Sequence, residues 1–166
     1  MYRFSLKLYI LLSIIIVPLL TFFGIPWLNI FGVSPCWIVL WLLPWSLKQG
    51  EVSAVFAGLF FGLLLDSFTT EIASQAPILM FLGFWWGRLG ARRNQINSSF
   101  ALGWLAWLGT FFFGLSNWIQ TILQSAEFSF NLWAIQTLLA EAFITSLLAP
   151  IICSWLLWFW RPRSFL

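Results

Sequence analysis

The sequence predicts an all-α integral membrane protein, a single bundle of about six transmembrane helices over residues 1–166 with both termini cytoplasmic. Three observations carry this. Hydrophobic residues fill 61% of the 166 positions and charged residues only 8%, against about a quarter charged in an ordinary soluble domain. So few polar side chains cannot cover a water-facing surface. The apolar residues fall in long runs broken by short polar stretches, and a spanning helix needs about 20 such residues. Finally, six crossings gather every Lys and Arg on one membrane side, as the positive-inside rule asks.

The first span runs from about residue 6 to 23. Arg3 and Lys7 precede an apolar run from Leu8 to Leu20, like the opening of a signal peptide. No Ala occurs before Ala54, so the small-residue cleavage site is missing and the span is expected to stay uncleaved. The second span covers 27–47 and contains Pro35 and Pro44. Its uninterrupted part, from Cys36 to Leu47, is about 18 Å long at the rise of an α-helix, short enough to be re-entrant. A re-entrant segment would set Arg3 and Lys7 opposite the other six basic residues. A full crossing, broken near Gly32 to Pro35, keeps all of them together and is the expected arrangement.

The third span is expected over 52–68, the fourth over 72–86 and the fifth over 99–122. The sixth, 132–160, is long enough to tilt or to project past the bilayer. Between the fourth and fifth lies "RLGARRNQINSS", read as a cytoplasmic loop whose Arg88, Arg92 and Arg93 determine topology and touch anionic lipid. The net charge of +3 is thus a matter of topology and lipid, with no nucleic-acid partner implied. Trp37, Trp41 and Trp45 share one helix face. That is a lipid-facing or packing stripe rather than a ligand cage.

Composition also removes chemistries. The chain has no His and two Cys, so it offers no His triad, no His-ligated metal and no Cys-rich metal site. Cys36 and Cys153 fall at opposite ends of their spans, too far apart to bridge. No nucleotide-binding loop is present. The expectation is a protein without cofactor, metal or catalytic residues.

The residues that remain informative are small or polar ones inside apolar runs. Ala54, Gly58 and Gly62 recur every fourth position in the third span and clear a stripe for close helix approach. Gly83 and Gly87 form a second such pair in the fourth span, so the two faces are expected to meet each other or a partner. Asp66 ends the stripe, either as a helix end and cap for the next helix or as the group that fixes a partner-binding loop. Glu141 lies within the sixth span near Gln136, Thr137 and Thr145. An intramembrane carboxylate is either functional or a protonated group bonded inside the bundle.

The stretch "SPCWIVLWLLPWSLKQGEVSAVFAGLFFGLLLD", Ser34 to Asp66, resembles the signature region of the MreD family of bacterial rod-shape-determining membrane proteins. The likeness rests on Pro35 opening the second span, a polar turn with Gly50, and a helix carrying Ala54, Phe56, Gly58, Leu59, Gly62, Leu63, Leu64 and Asp66. The loop after Asp66, "SFTTEIASQAP", lacks the glycine usual in the family. The resemblance implies a non-enzymatic scaffold of the cell-elongation complex in the bacterial plasma membrane. Its implied partners are an MreC-like protein, peptidoglycan synthases and membrane lipid. It also implies a fold similar to the substrate-binding membrane subunits of vitamin importers. The alternative function is therefore an importer subunit, with Gln120, Gln124, Asn131, Gln136 and Glu141 lining a pocket. An intramembrane enzyme would require Asp66 and Glu141 to meet in space.

Overall fold

The computed structural model describes residues 33–68, 74–91, 99–125 and 132–159. These form five α-helices: α1 (Trp37–Gln49), α2 (Glu51–Phe68), α3 (Ala76–Ala91), α4 (Ser99–Ser125) and α5 (Leu132–Phe159). Three of them, α2, α4 and α5, are long and apolar enough to cross a membrane. The described elements are thus all α-helices, and three of them suit a membrane protein. The expected first span lies outside the described residues, as do Arg3, Lys7, Arg92, Arg93, Arg161 and Arg163.

The shortest helix is at the centre. Every residue of α1 from Ile38 to Pro44 is buried, and α2, α3, α4 and α5 all pack on it. A helix apolar on every face can be covered on every face, and α1 has no polar side to present. Its aromatic stripe is a packing stripe: Trp41 stacks on Trp45 with ring centroids 5.0 Å apart and meets Phe61 of α2 edge-on at 4.9 Å.

Two prolines break the internal bonding of these helices, and at the first a neighbouring helix supplies the missing donor. Pro44 has no N–H, so the carbonyl of Leu40 has no donor one turn later. The thiol of Cys153, on α5, donates to that oxygen at 3.6 Å. Pro150 likewise frees the carbonyl of Ser146, which faces Gly103 of α4 so closely that a Cβ there would sit 3.2 Å from it. In hydrocarbon a freed backbone group needs a donor such as the Cys153 thiol, because no water is at hand.

Gly50 joins α1 to α2 with φ +85° and ψ 179°, a region essentially reserved for glycine that costs other residues about 1–3 kcal/mol. Its N–H reaches back to the Ser46 carbonyl at 3.3 Å, and its own carbonyl accepts the Ala54 N–H at 3.1 Å. The chain therefore turns from α1 into α2 without a loop. On the outside of the bundle, α2 shows Val52, Phe56, Phe60 and Leu63, and α5 shows Phe143, Leu147, Ile151 and Trp155. Apolar faces of this kind suit acyl chains, which are as apolar as leucine.

One span expectation needs correction, and a second is seen only in part. The fourth was placed at 72–86, but the helix is Ala76–Ala91, because Ser74 and Gln75 are held as a cap by Asp66 and the helix begins only after them. The second was placed at 27–47 with a break near Gly32 to Pro35; residues 27–32 lie outside the described residues, and beyond the break the helix runs Trp37–Gln49, to where Gly50 turns the chain.

Candidate functional site

The α2–α3 pair forms the tightest seam in the fold, and glycine makes it possible. A Cβ on Gly58 would lie 2.7 Å from the Leu79 carbonyl carbon, and one on Gly62 would lie 2.8 Å from the Ala76 nitrogen. From the other side, a Cβ on Gly83 would lie 2.9 Å from the Ala54 carbonyl carbon, and one on Gly87 2.6 Å from the Glu51 Cα. Each obstacle is backbone, which cannot rotate away. The expected stripe of Ala54, Gly58 and Gly62 therefore faces α3 within the same chain, in antiparallel register with Gly83 and Gly87. Gly90 extends the contact to α1, where its Cβ would lie 2.7 Å from the Leu47 Cα.

Asp66 closes the open end of this seam. Its Oδ1 accepts the Gln75 N–H at 2.7 Å, and its Oδ2 accepts the Ser74 hydroxyl at 2.7 Å. Gln75 immediately precedes α3, and its carbonyl takes the Leu79 N–H at 3.3 Å. The carboxylate of one helix thus caps the next, where orphan N–H groups and the positive end of the helix dipole favour negative charge. Of the two readings of Asp66, the cap is the one that the geometry shows. From α4, the side-chain N–H2 of Gln120 donates to the Ser74 carbonyl at 2.9 Å and to the Ser116 hydroxyl at 3.2 Å. Beside this clamp, Gln75 Oε1 and Asn117 Oδ1 are buried with no hydrogen-bond partner.

Glu141 belongs to a separate corner, where α1 begins against α5. The Cys36 N–H donates to Thr145 Oγ1 at 3.1 Å, and the Thr145 hydroxyl donates to the Glu141 carbonyl at 2.7 Å. The Cys36 thiol lies close to the Glu141 carboxylate. Cys36 is buried with its thiol free of any disulfide, and so is Cys153. Glu141 is half-buried and so borders the bundle rather than filling its core.

The polar residues expected to line one pocket go to different places. Gln120 serves the Asp66 clamp. Gln136 is exposed and lies about 140° around α5 from Glu141 at 3.6 residues per turn. The side chain of Gln124, and Asn131 altogether, lie outside what the structure describes. Asp66 and Glu141 have no hydrogen-bond partner in common. Pro35 is buried just ahead of α1, and Arg88 is exposed in the last turn of α3. Among the described residues no group of three or more Cys, Asp or Glu gathers to hold a metal.

Sequence reasoning missed the partners of the broken backbone. Pro44 signalled a freed carbonyl at Leu40, but nothing in the chain pointed to Cys153, 113 positions away. It also missed Ser74 and Gln75 as the groups that Asp66 holds. Ser74, two residues before the Ala76-Pro77 pair that opens α3, was the available signal. The chain matches no protein-family model, no curated protein and no solved structure.

Proposed function

We propose that this protein is an MreD-like scaffold: a non-enzymatic membrane component of a bacterial cell-elongation complex, acting with an MreC-like protein and side-wall peptidoglycan synthases. In this reading the chain crosses the plasma membrane six times, and both termini and Arg88, Arg92 and Arg93 face the cytoplasm. One observation carries the proposal. The segment from Ser34 to Asp66, where the family resemblance lies, is the part of the chain around which the rest is built. It supplies the enclosed helix α1, the glycine seam and the Asp66 cap. A scaffold needs a rigid frame, and these three features make one from backbone contacts rather than from mobile side chains.

The seam is filled by α3, so a partner helix must dock on the outward face of α2 and α3, where Phe56, Phe60, Leu63, Phe81 and Phe84 are exposed. The test is photocrosslinking in native membranes with a reactive residue at Phe60 or Leu63, and at Phe143 on α5 as a comparison. Capture of an elongation protein from the α2 positions is the expected result. Capture of lipid alone from all three positions would sink the scaffold reading.

A further inference from the structure

At the Glu51 end of the α2–α3 pair, the outward face opens into a cleft of about 200 Å³. Val52, Val55 and Phe56 of α2 and Phe84 of α3 form its apolar walls, and Glu51 is its one polar lining residue. Val52, Phe56 and Phe84 are exposed. Arg88 lies one turn beyond Phe84 on the same face of α3 and is exposed too. It directly follows Gly87, whose Cβ would lie only 2.6 Å from the Glu51 Cα. The seam that joins the two helices therefore also sets a carboxylate and a guanidinium at one end of the cleft. Lys48, in the last turn of α1, comes to the same end of the bundle.

We propose that this cleft holds one phospholipid with a primary-amine headgroup, of the phosphatidylethanolamine class. One acyl chain lies between Phe56 and Phe84, the phosphate meets Arg88, and the ammonium meets Glu51. Each part of the site selects this occupant. Valine and phenylalanine walls offer an acyl chain dispersion contacts and offer a polar ligand nothing. A helix, about 10 Å across, does not enter a space of this size. A guanidinium matches phosphate in charge and in hydrogen-bond geometry. A carboxylate on the same rim repels a headgroup that is anionic throughout and attracts one that also carries a positive amine. A primary ammonium gives Glu51 N–H donors for charge-assisted bonds, whereas a quaternary choline has none. The site takes the Glu51 end of the outward face and leaves Phe60 and Leu63, further along α2, to a partner helix. It stands whether or not the scaffold reading does.

The test uses the full-length protein in detergent, titrated with phosphatidylethanolamine, phosphatidylcholine or phosphatidylglycerol of identical acyl chains and read by native mass spectrometry. The wild type should hold phosphatidylethanolamine on the order of tenfold more tightly than phosphatidylcholine, the size of one hydrogen bond to a charged group. Glu51→Gln should abolish that preference while both lipids still bind. Arg88→Gln should weaken both. Val52→Trp, at a position 71% exposed and so able to take a larger ring without repacking the bundle, should fill the cleft and lower the affinity for all three. Equal affinity of the wild type for the ethanolamine and choline lipids would overturn the proposal, as would a preference that survives Glu51→Gln. Phosphatidylglycerol as the tightest ligand would also overturn it, since the site would then be a cationic patch. So would a Val52→Trp variant that binds like the wild type, since the chain would then lie elsewhere.

Discussion

The thiol of Cys153 donates to the carbonyl of Leu40 at 3.6 Å, across two helices and on account of a third residue, Pro44. Without Pro44 that carbonyl would be used inside α1. With it, the bond must come from a neighbour. Cys153→Ser keeps a donor and should stay within about 1 kcal/mol of the wild type. Cys153→Ala should cost about 1–3 kcal/mol, the range for a buried acceptor left unpaired. In a Pro44→Ala background the same alanine change should cost less, because residue 44 then donates to Leu40. Equal losses in both backgrounds, measured by denaturant titration, would remove this account of Cys153.

Glycine at the α2–α3 seam is required by distance, not by flexibility. Gly58→Ala places a methyl against the Leu79 carbonyl, so the helices must separate. The expected loss is at least about 2 kcal/mol, at the upper end of overpacking. Leu63→Ala, on the exposed face of the same helix, should cost far less. Comparable thermal midpoints for the two variants would contradict the seam.

Asp66 works through its oxygens. Asp66→Ala should destabilise by about 1–2 kcal/mol, as loss of a helix cap does, and hydrogen exchange should quicken first at Gln75 and the opening turn of α3. Asp66→Asn retains one acceptor for the Gln75 N–H and should recover a large part of the loss. An exchange pattern unchanged in Asp66→Ala would show that α3 starts without the cap.

Thr145 satisfies the first N–H of the α1 entry. Thr145→Val is nearly the same shape but leaves the Cys36 N–H without its acceptor at 3.1 Å. It should lower stability by about 1–3 kcal/mol, and Thr145→Ser should restore it. If valine proves as stable as serine, the contact with Thr145 is incidental.

How much of this was readable from the chain alone differs from one feature to the next. The membrane class, the α2 and α5 helices nearly to their ends, and the meeting of the Ala54, Gly58 and Gly62 stripe with the face of Gly83 and Gly87 follow from composition and spacing. Those signals are local: apolar length, and small residues every fourth position on neighbouring segments. Asp66 as a cap was one of two readings, and its donors were not foreseen. The enclosure of α1 was not legible, because a wholly apolar helix looks the same whether lipid or protein surrounds it; lipid and leucine side chains offer nearly equal surroundings. The same holds for Trp41, which the pattern left open between lipid and packing and which the bundle buries at 3% exposure.

The sequence by itself determined that this chain is apolar and helical enough to suit a membrane, where α2 and α5 run, and which helix faces are smooth enough to meet. Only the tertiary structure decided which helix lies at the centre, and which distant side chain completes the backbone bond that Pro44 breaks. The physical reason is that apolar patterning is a property of single segments, whereas unsatisfied polar groups in hydrocarbon are settled between segments. Cys153 for Leu40, Thr145 for Cys36 and Asp66 for Gln75 are each such a settlement. None of them follows from the period of a helix.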